Sequence, residues 1–427
     1  MITFSIITLG CKVNIFESEA YRNNMLSLGY KEVDNNEVAD IYIINTCAVT
    51  NNASSKSRQR ITHAKKINPK AFIAVIGCYA QMQGDKLVDK YNIDLLVGTT
   101  NKNEFVNMIH RLYKNRSQEL HVDSLKDINA FEAVNVKMFN HHTRAFLKIQ
   151  DGCNQYCSYC IIPYVRGNER YIAIDKAIAN AKELVKNNHK EIVLAGIHTG
   201  RYGFGSNINL AILLQQLCEI EGLERIRISS IEINEISDEL IDVIKANKKI
   251  ARHLHIPIQS ASNKMLKLMN RTYTVEEYME RIDYIRGRLD NVAISTDIIV
   301  GFPQESENDF EETTRNVSKL QFAFAHIFPY SKRDGTKAAL MSGHLDNQIK
   351  KNRAKELSLI VENSKMSYMN YFITKEVDVL IESNKDSNSV GYTSEYIKVE
   401  VQDMFKVGDL VRVNVIDRVG NVLIANA

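Results

Sequence analysis

Short apolar runs separated by amphipathic stretches set the pattern of the first quarter of the chain. Runs at 3–8, 41–45 and 71–76, with a shorter one at 95–97, read as strands. Between them, stretches such as 17–28 and 55–66 place apolar residues at helical spacing. This alternation predicts a small parallel α/β sheet over residues 1–115. Residues 116–140 are polar and weakly periodic and read as a linker with some local structure.

The alternation returns on a larger scale in a second unit, residues 139–370. Strand-like runs at 145–149, 191–195, 225–230, 253–258, 293–300 and 324–329 are separated by helical stretches such as 175–186 and 274–288. Residues 343–370 read as one long helix. Six βα units predict a barrel or partial barrel. In a third unit, 371–427, the period drops to two. Runs at 377–382, 396–401, 410–416 and 422–425, with Gly391, Gly408 and Gly420 placed at turns, predict a small all-β module, barrel-like. The predicted class is α/β: a parallel N-terminal domain, a partial (β/α)6 barrel and a small C-terminal β-barrel.

Composition changes this picture little. The 427 residues are 44% hydrophobic and 25% charged, which excludes a disordered chain. No apolar run approaches the roughly 18 residues of a membrane span, so no membrane partner is expected. The first ten residues carry no Lys or Arg ahead of the apolar stretch, which argues against a secretory leader and for the cytoplasm. The net charge of +3 permits an acidic partner without demanding one. Seven cysteines, an odd number in a cytoplasmic chain, favour metal binding or catalysis over a disulfide framework.

Cys153, Cys157 and Cys160 fall within eight residues, just after a predicted strand. Three thiolates suit a loop wrapped around one face of an iron–sulfur cluster. A ferredoxin-type run has four cysteines, and a structural zinc site also takes four ligands. Three leave one iron open to something exchangeable. Cys11, Cys47 and Cys78 each end a strand-like run. The carboxyl ends of parallel strands share one sheet edge, so these three can converge into a second three-ligand site. The alternative is three separate buried cysteines. Cys218, within an apolar helical run, reads as packing.

Cys-x3-Cys-x-aromatic-Cys, with Tyr159 as the aromatic, resembles the signature of radical S-adenosylmethionine (SAM) enzymes. Gly10-Cys11-Lys12-Val13-Asn14, Asn45-Thr46-Cys47 and Gly77-Cys78-Tyr79 resemble the N-terminal domain of the methylthiotransferases, and Ile162-Pro163-Tyr164-Val165-Arg166-Gly167 their radical-SAM segment. Val390-Gly391-Tyr392-Thr393 and Tyr396-Ile397-Lys398-Val399 are similar to their TRAM domain, an RNA-binding β-barrel.

The resemblance spans nearly the whole chain. It implies two 4Fe–4S clusters, on Cys153, Cys157 and Cys160 and on Cys11, Cys47 and Cys78, with SAM as a further cofactor. It also implies methylthio transfer to tRNA, with sulfur donor and reductant unidentified. The short motifs look most like the branch acting at C2 of N6-threonylcarbamoyladenosine at position 37. The rival substrates are isopentenyladenosine and a ribosomal-protein aspartate. A rival of another class is an iron–sulfur RNA-binding protein without catalysis.

The resemblance places SAM at the carboxyl ends of the barrel strands, a face where barrel chemistry sits on general grounds. Tyr159, Gly196, Ser230, Glu232, His255, Gln259, Asp297 and Gly301 are the candidates there. Residues 51–70 hold Lys56, Arg58, Arg60, Lys65, Lys66 and Lys70 and no acid, a candidate phosphate-contacting helix. The C-terminal module is net acidic, so RNA binding there calls for a local patch.

Overall fold

The computed structural model describes residues 1–115, 117–126 and 128–427. The first unit is a six-stranded, all-parallel sheet in the order Lys31–Glu32, Thr3–Thr8, Ile41–Thr46, Phe72–Gly77, Leu95–Val97, Glu119–His121. Ile41–Thr46 and Phe72–Gly77 are buried throughout, as expected of central strands covered by helices on both faces. The two edge strands were not anticipated. Lys31–Glu32 has no apolar residue, and Glu119–His121 lies in the stretch read as linker; each pairs along the backbone with its neighbour and is held besides by an ion pair, Glu32 to Arg22 (2.8 Å) and Glu119 to Arg111 (2.6 Å).

The second unit is an open barrel of six parallel strands. Two three-stranded sheets, one of Arg225–Ile228, Glu191–Ala195 and Ala145–Lys148 and one of His253–His255, Ala293–Val300 and Phe324–Pro329, are joined by single bridges Ile226 to Ile250 and Ser230 to His255. The first and last strands do not pair. Helix Lys12–Ser27 of the first unit lies along the edge strand Ala145–Lys148. Its Phe16 and Ala20 belong to the apolar core of the barrel. Helix Asn347–Asn370 packs on the other edge strand.

The third unit is a closed five-stranded barrel of Glu376–Lys385, Asn388–Thr393, Lys398–Val401, Val422–Asn426 and Leu410–Val419. Gly391, expected at a turn, lies instead inside Asn388–Thr393. A Cβ there would sit 2.1 Å from the Leu380 carbonyl oxygen, so the neighbouring strand requires glycine. The module is tied to the open barrel by Arg225 and Arg227. These donate to the carbonyls of Asp378 (2.8 Å) and Thr393 (3.1 Å), and Tyr396 stacks on His253 with ring centroids 5.3 Å apart. Among the described residues no helix is long and apolar enough to cross a membrane.

Candidate active site

The three N-terminal cysteines sit where strands end and helices begin. Cys11 is the N-cap of Lys12–Ser27, Cys47 directly follows Ile41–Thr46, and Cys78 is the first residue of Cys78–Gln83. Helix N-termini favour a thiolate. Gly10 (φ +108°) and Gly77 (φ +109°) turn the chain sharply before two of them. A Cβ on Gly10 would come within 3.1 Å of the Cys47 sulfur, so the chain before Cys11 runs against Cys47. Burial first, with the neighbouring Cys78 and Cys11 thiols adding to it, pushes the Cys47 thiol up to about 11.

Cys78 is also raised by burial, against the pull of Arg166. The Arg166 guanidinium has no exposed surface. Its Nε donates to the Cys78 sulfur at 3.1 Å and its Nη2 to Asn14 Oδ1 at 2.7 Å, while Nη1 pairs with Glu17 at 2.9 Å. Glu17 and Asp151 are the carboxylates of a buried charge cluster. Lys148 holds both, at 2.9 and 2.6 Å, and Lys102 holds both at 3.0 Å. Arg170 reaches Asp151 at 3.5 Å. Burial alone would disfavour charge on Glu17, yet Arg166, Lys102 and Lys148 together hold it below the usual carboxylate range. Asp151 is held down by Lys102, Lys148, Arg166 and Arg170 against the same penalty. The cluster ties the first unit to the loop that carries Cys153.

The second trio has its own donors. Arg271 Nη1 lies 3.3 Å from the Cys157 sulfur and pairs with Glu232, while His198 Nδ1 lies 3.5 Å from the Cys153 sulfur. Burial would lower the His198 pKa, but its bonds to Cys153 and Glu235 hold it up at about 10. Burial, then the neighbouring Cys157, pushes Cys160 up to about 12.

Among the described residues no three His, Cys, Asp or Glu side chains converge tightly enough for a single metal ion. Each trio nonetheless holds thiols close enough to raise one another's pKa, with cationic donors aimed at their sulfurs. Such a set suits a multi-iron cluster, in which each thiolate meets a different iron, and not one zinc ion.

A cavity of about 250 Å³ lies where the first unit meets the open barrel, with Cys160 in its wall. Val49 and Thr50 line it from the first unit, and Tyr159, Cys160, Gln259 and Asp297 line it from the open barrel. Arg333, also in its wall, spans the two units by donating to the Ala48 carbonyl and to Ser54 Oγ at 2.9 Å. Of the remaining candidates, His255 is bonded to Ser295 (2.9 Å) and Asp297 (3.2 Å) at the strand ends. Ser230 bridges to His255. Gly196 packs against Gln150 and Thr199, and Glu232 opens onto a neighbouring depression with His198 and Glu235. Gly301 is not brought to the cavity: its Cβ position is occupied by Lys350, and its N–H donates to Glu305 at 2.6 Å. Gln259 has φ +67°, a conformation uncommon outside glycine.

In the basic helix Asn51–Ile67, Ser54, Ser57, Ile61 and Ala64 are buried, while Lys56, Arg60 and Lys66 are exposed. Arg166, Arg271 and His198 were not singled out from the sequence. Arg166 stood within a segment quoted for its resemblance, but nothing in spacing tells that an arginine will meet a cysteine 88 residues away.

An open parallel barrel that begins on a three-cysteine loop defines a radical SAM protein. The Radical SAM superfamily model matches residues 147–317, and the model described as uncharacterized protein family UPF0004 matches residues 3–98. The fold is shared with the radical SAM methyltransferase TsrM from Kitasatospora setae (TM-score 0.60, 9% identity, 79% of this chain and 74% of that one). Threonylcarbamoyladenosine tRNA methylthiotransferase MtaB of Bacillus subtilis is 39% identical, covering 97% of this chain and 94% of the relative. The tRNA-2-methylthio-N(6)-dimethylallyladenosine synthase of Thermoanaerobacter pseudethanolicus is 38% identical, covering 96% and 90%. The chain belongs to the radical SAM tRNA methylthiotransferases, enzymes that use SAM and two 4Fe–4S clusters.

Proposed function

We propose that this enzyme adds a methylthio group to C2 of N6-threonylcarbamoyladenosine at position 37 of tRNA. We assign one cluster to Cys153, Cys157 and Cys160 and the other to Cys11, Cys47 and Cys78. The observation that carries this is the shared cavity: Val49 and Thr50, two and three residues after Cys47, and Cys160 itself line the same space, so a nucleoside bound there would lie against both units. The clusters and SAM, when bound, supply radical abstraction at an unactivated C–H and a sulfur to deliver.

The chain's own residues do the rest. Tyr159, Gln259 and Asp297 shape the wall against which SAM would rest, and Arg333 fixes the two halves of the cavity against each other. Arg166 and Arg271 donate to cysteine sulfurs from buried positions and hold them in place. The exposed lysines of Asn51–Ile67 and the small C-terminal barrel are the surfaces we assign to the tRNA backbone.

The dimethylallyl relative, with nearly equal identity, makes dimethylallyladenosine the second reading. The test is an anaerobic assay of the iron-loaded enzyme on two RNA stem-loops that differ only at the N6 substituent. Methylthiolation of the threonylcarbamoyl RNA is expected; modification of the dimethylallyl RNA alone would reverse the assignment.

A further inference from the structure

We infer that Arg333 receives the carboxylate on the N6 substituent of the substrate nucleoside, an inference that rests on the threonylcarbamoyl reading above. Arg333 lines the cavity where the two units meet. Its guanidinium is fixed from the first unit: Nη1 donates to Asn51 Oδ1 at 2.6 Å, and Nη2 donates to Ser54 Oγ at 2.9 Å and to the Ala48 carbonyl. The preceding chain is tied to the same place. The Asn51 N–H donates to Ser331 Oγ at 3.2 Å, and Asn51 Nδ2 donates to the Lys332 carbonyl at 3.1 Å. Ala48 and Asn51 flank Val49 and Thr50 in the chain, so the guanidinium stands beside the part of the wall that the first unit supplies.

Every acceptor that Arg333 meets is neutral. The residue is 5% exposed, yet it makes no ion pair among the described residues. Burying a charge costs heavily unless an opposite charge offsets it. All the other buried arginines among the described residues hold a carboxylate, as Arg166 holds Glu17 and Arg353 holds Glu305. The nearby acids do not serve Arg333. Asp297, in the same wall, is paired with His255 at 3.2 Å, and Asp334 is exposed. Donors are also left over. A guanidinium has five N–H groups, and here Nε is buried with no partner. The hydroxyl of Tyr330, another residue of this wall, is buried and unpartnered too. A cavity wall with an uncompensated cation and spare donors suits an anionic, acceptor-rich group.

The two nucleosides differ in this respect. A threonylcarbamoyl group carries a carboxylate, whereas a dimethylallyl group is a hydrocarbon. C6, which bears the substituent, and C2 both bond to N1 of the ring, so the substituent shares the cavity with the carbon to be modified. A site built to pair with a charge rejects the analogue lacking it, because the guanidinium is then left desolvated and unpaired. SAM carries a carboxylate as well, so its binding must be read separately.

The experiment measures Kd of the iron-loaded full chain for the two stem-loop RNAs and for SAM, in wild type, Arg333→Lys, Arg333→Gln and Asn51→Glu. Asn51→Glu keeps the arginine and gives it an internal counter-charge. Asn51 is the exposed first residue of its helix, where a carboxylate suits the helix dipole, so this variant should fold. Wild type is expected to prefer the threonylcarbamoyl RNA by about tenfold, the worth of one charge-assisted contact. Arg333→Gln and Asn51→Glu should lose that preference by weakening on this RNA alone, with SAM affinity unchanged. Arg333→Lys should keep part of it. Iron content equal to wild type shows that each variant retains its cluster sites. Variants that keep the wild-type preference, or that weaken equally on both RNAs as a mere tie between the units would, overturn the role of Arg333. A parallel loss of SAM affinity assigns the contact to the carboxylate of SAM and overturns it too. A wild type that prefers the dimethylallyl RNA overturns the substrate reading, and this inference with it.

Discussion

Arg166 donates its Nε–H to the Cys78 sulfur at 3.1 Å from a side chain with no solvent exposure. A hydrogen bond to a ligand sulfur stabilises the more negative, reduced cluster and so raises its potential. Lysine at this position keeps a cation for Glu17 but loses the fixed fork that also reaches the sulfur. Arg166→Lys is therefore expected to lower the potential of the first cluster by roughly 65–130 mV. That is roughly one charge-assisted bond at 59 mV per decade. The second cluster, whose donor is Arg271, should be unchanged. Redox titration followed by electron paramagnetic resonance reads both, and equal potentials in wild type and variant would sink the idea.

The cluster of Glu17 and Asp151 makes the join between the units acid-sensitive. Both carboxylates are held below their ordinary range in the folded protein. Their stabilisation is full above the unfolded pKa of about 4 and is lost as pH falls below it toward the folded values. The thermal midpoint should be insensitive to these groups near neutrality and fall from about pH 4 downward. Glu17→Gln should cost about 3–5 kcal/mol at neutral pH, because it strands buried cations, and should show a shallower acid decline. Parallel acid profiles for the two proteins would contradict this.

The two trios should separate in function. Cys47→Ala should abolish methylthiolation yet leave reductive formation of 5′-deoxyadenosine measurable. Cys157→Ala should abolish both. Chromatographic quantitation of the two products decides the matter, and normal SAM cleavage by Cys157→Ala would refute the assignment.

Iron content offers an independent check. Two cubane clusters correspond to roughly eight irons per chain. Gly77→Ala should halve that number. Its φ of +109° is strained for alanine, and the added Cβ would lie 2.6 Å from the Thr46 carbonyl oxygen, so Cys78 must shift relative to Cys47. An undiminished iron count would show that the turn tolerates the methyl group.

The apolar runs of the central strands and the placement of six cysteines were legible in the sequence because burial and metal chemistry both leave compositional marks. The edge strand Glu119–His121 was not, since three residues, two of them polar, are too few to show a period. Gly391 was misplaced because a glycine demanded by a neighbouring strand looks the same as one demanded by a turn. Arg166 and Arg271 escaped notice for a different reason. Their partners are 88 and 114 residues away, and only the fold brings donor and sulfur together.

Helix Lys12–Ser27 contributes Phe16 and Ala20 to the core of a barrel that begins more than a hundred residues later. The boundary between the two family matches, at residues 98 and 147, is therefore not a boundary of independent folding. Excised alone, the barrel would expose an apolar stripe along Ala145–Lys148 and leave Lys148 and Asp151 without Glu17 and Lys102. A graft of this barrel onto a foreign partner would therefore have to carry the helix along as its missing wall.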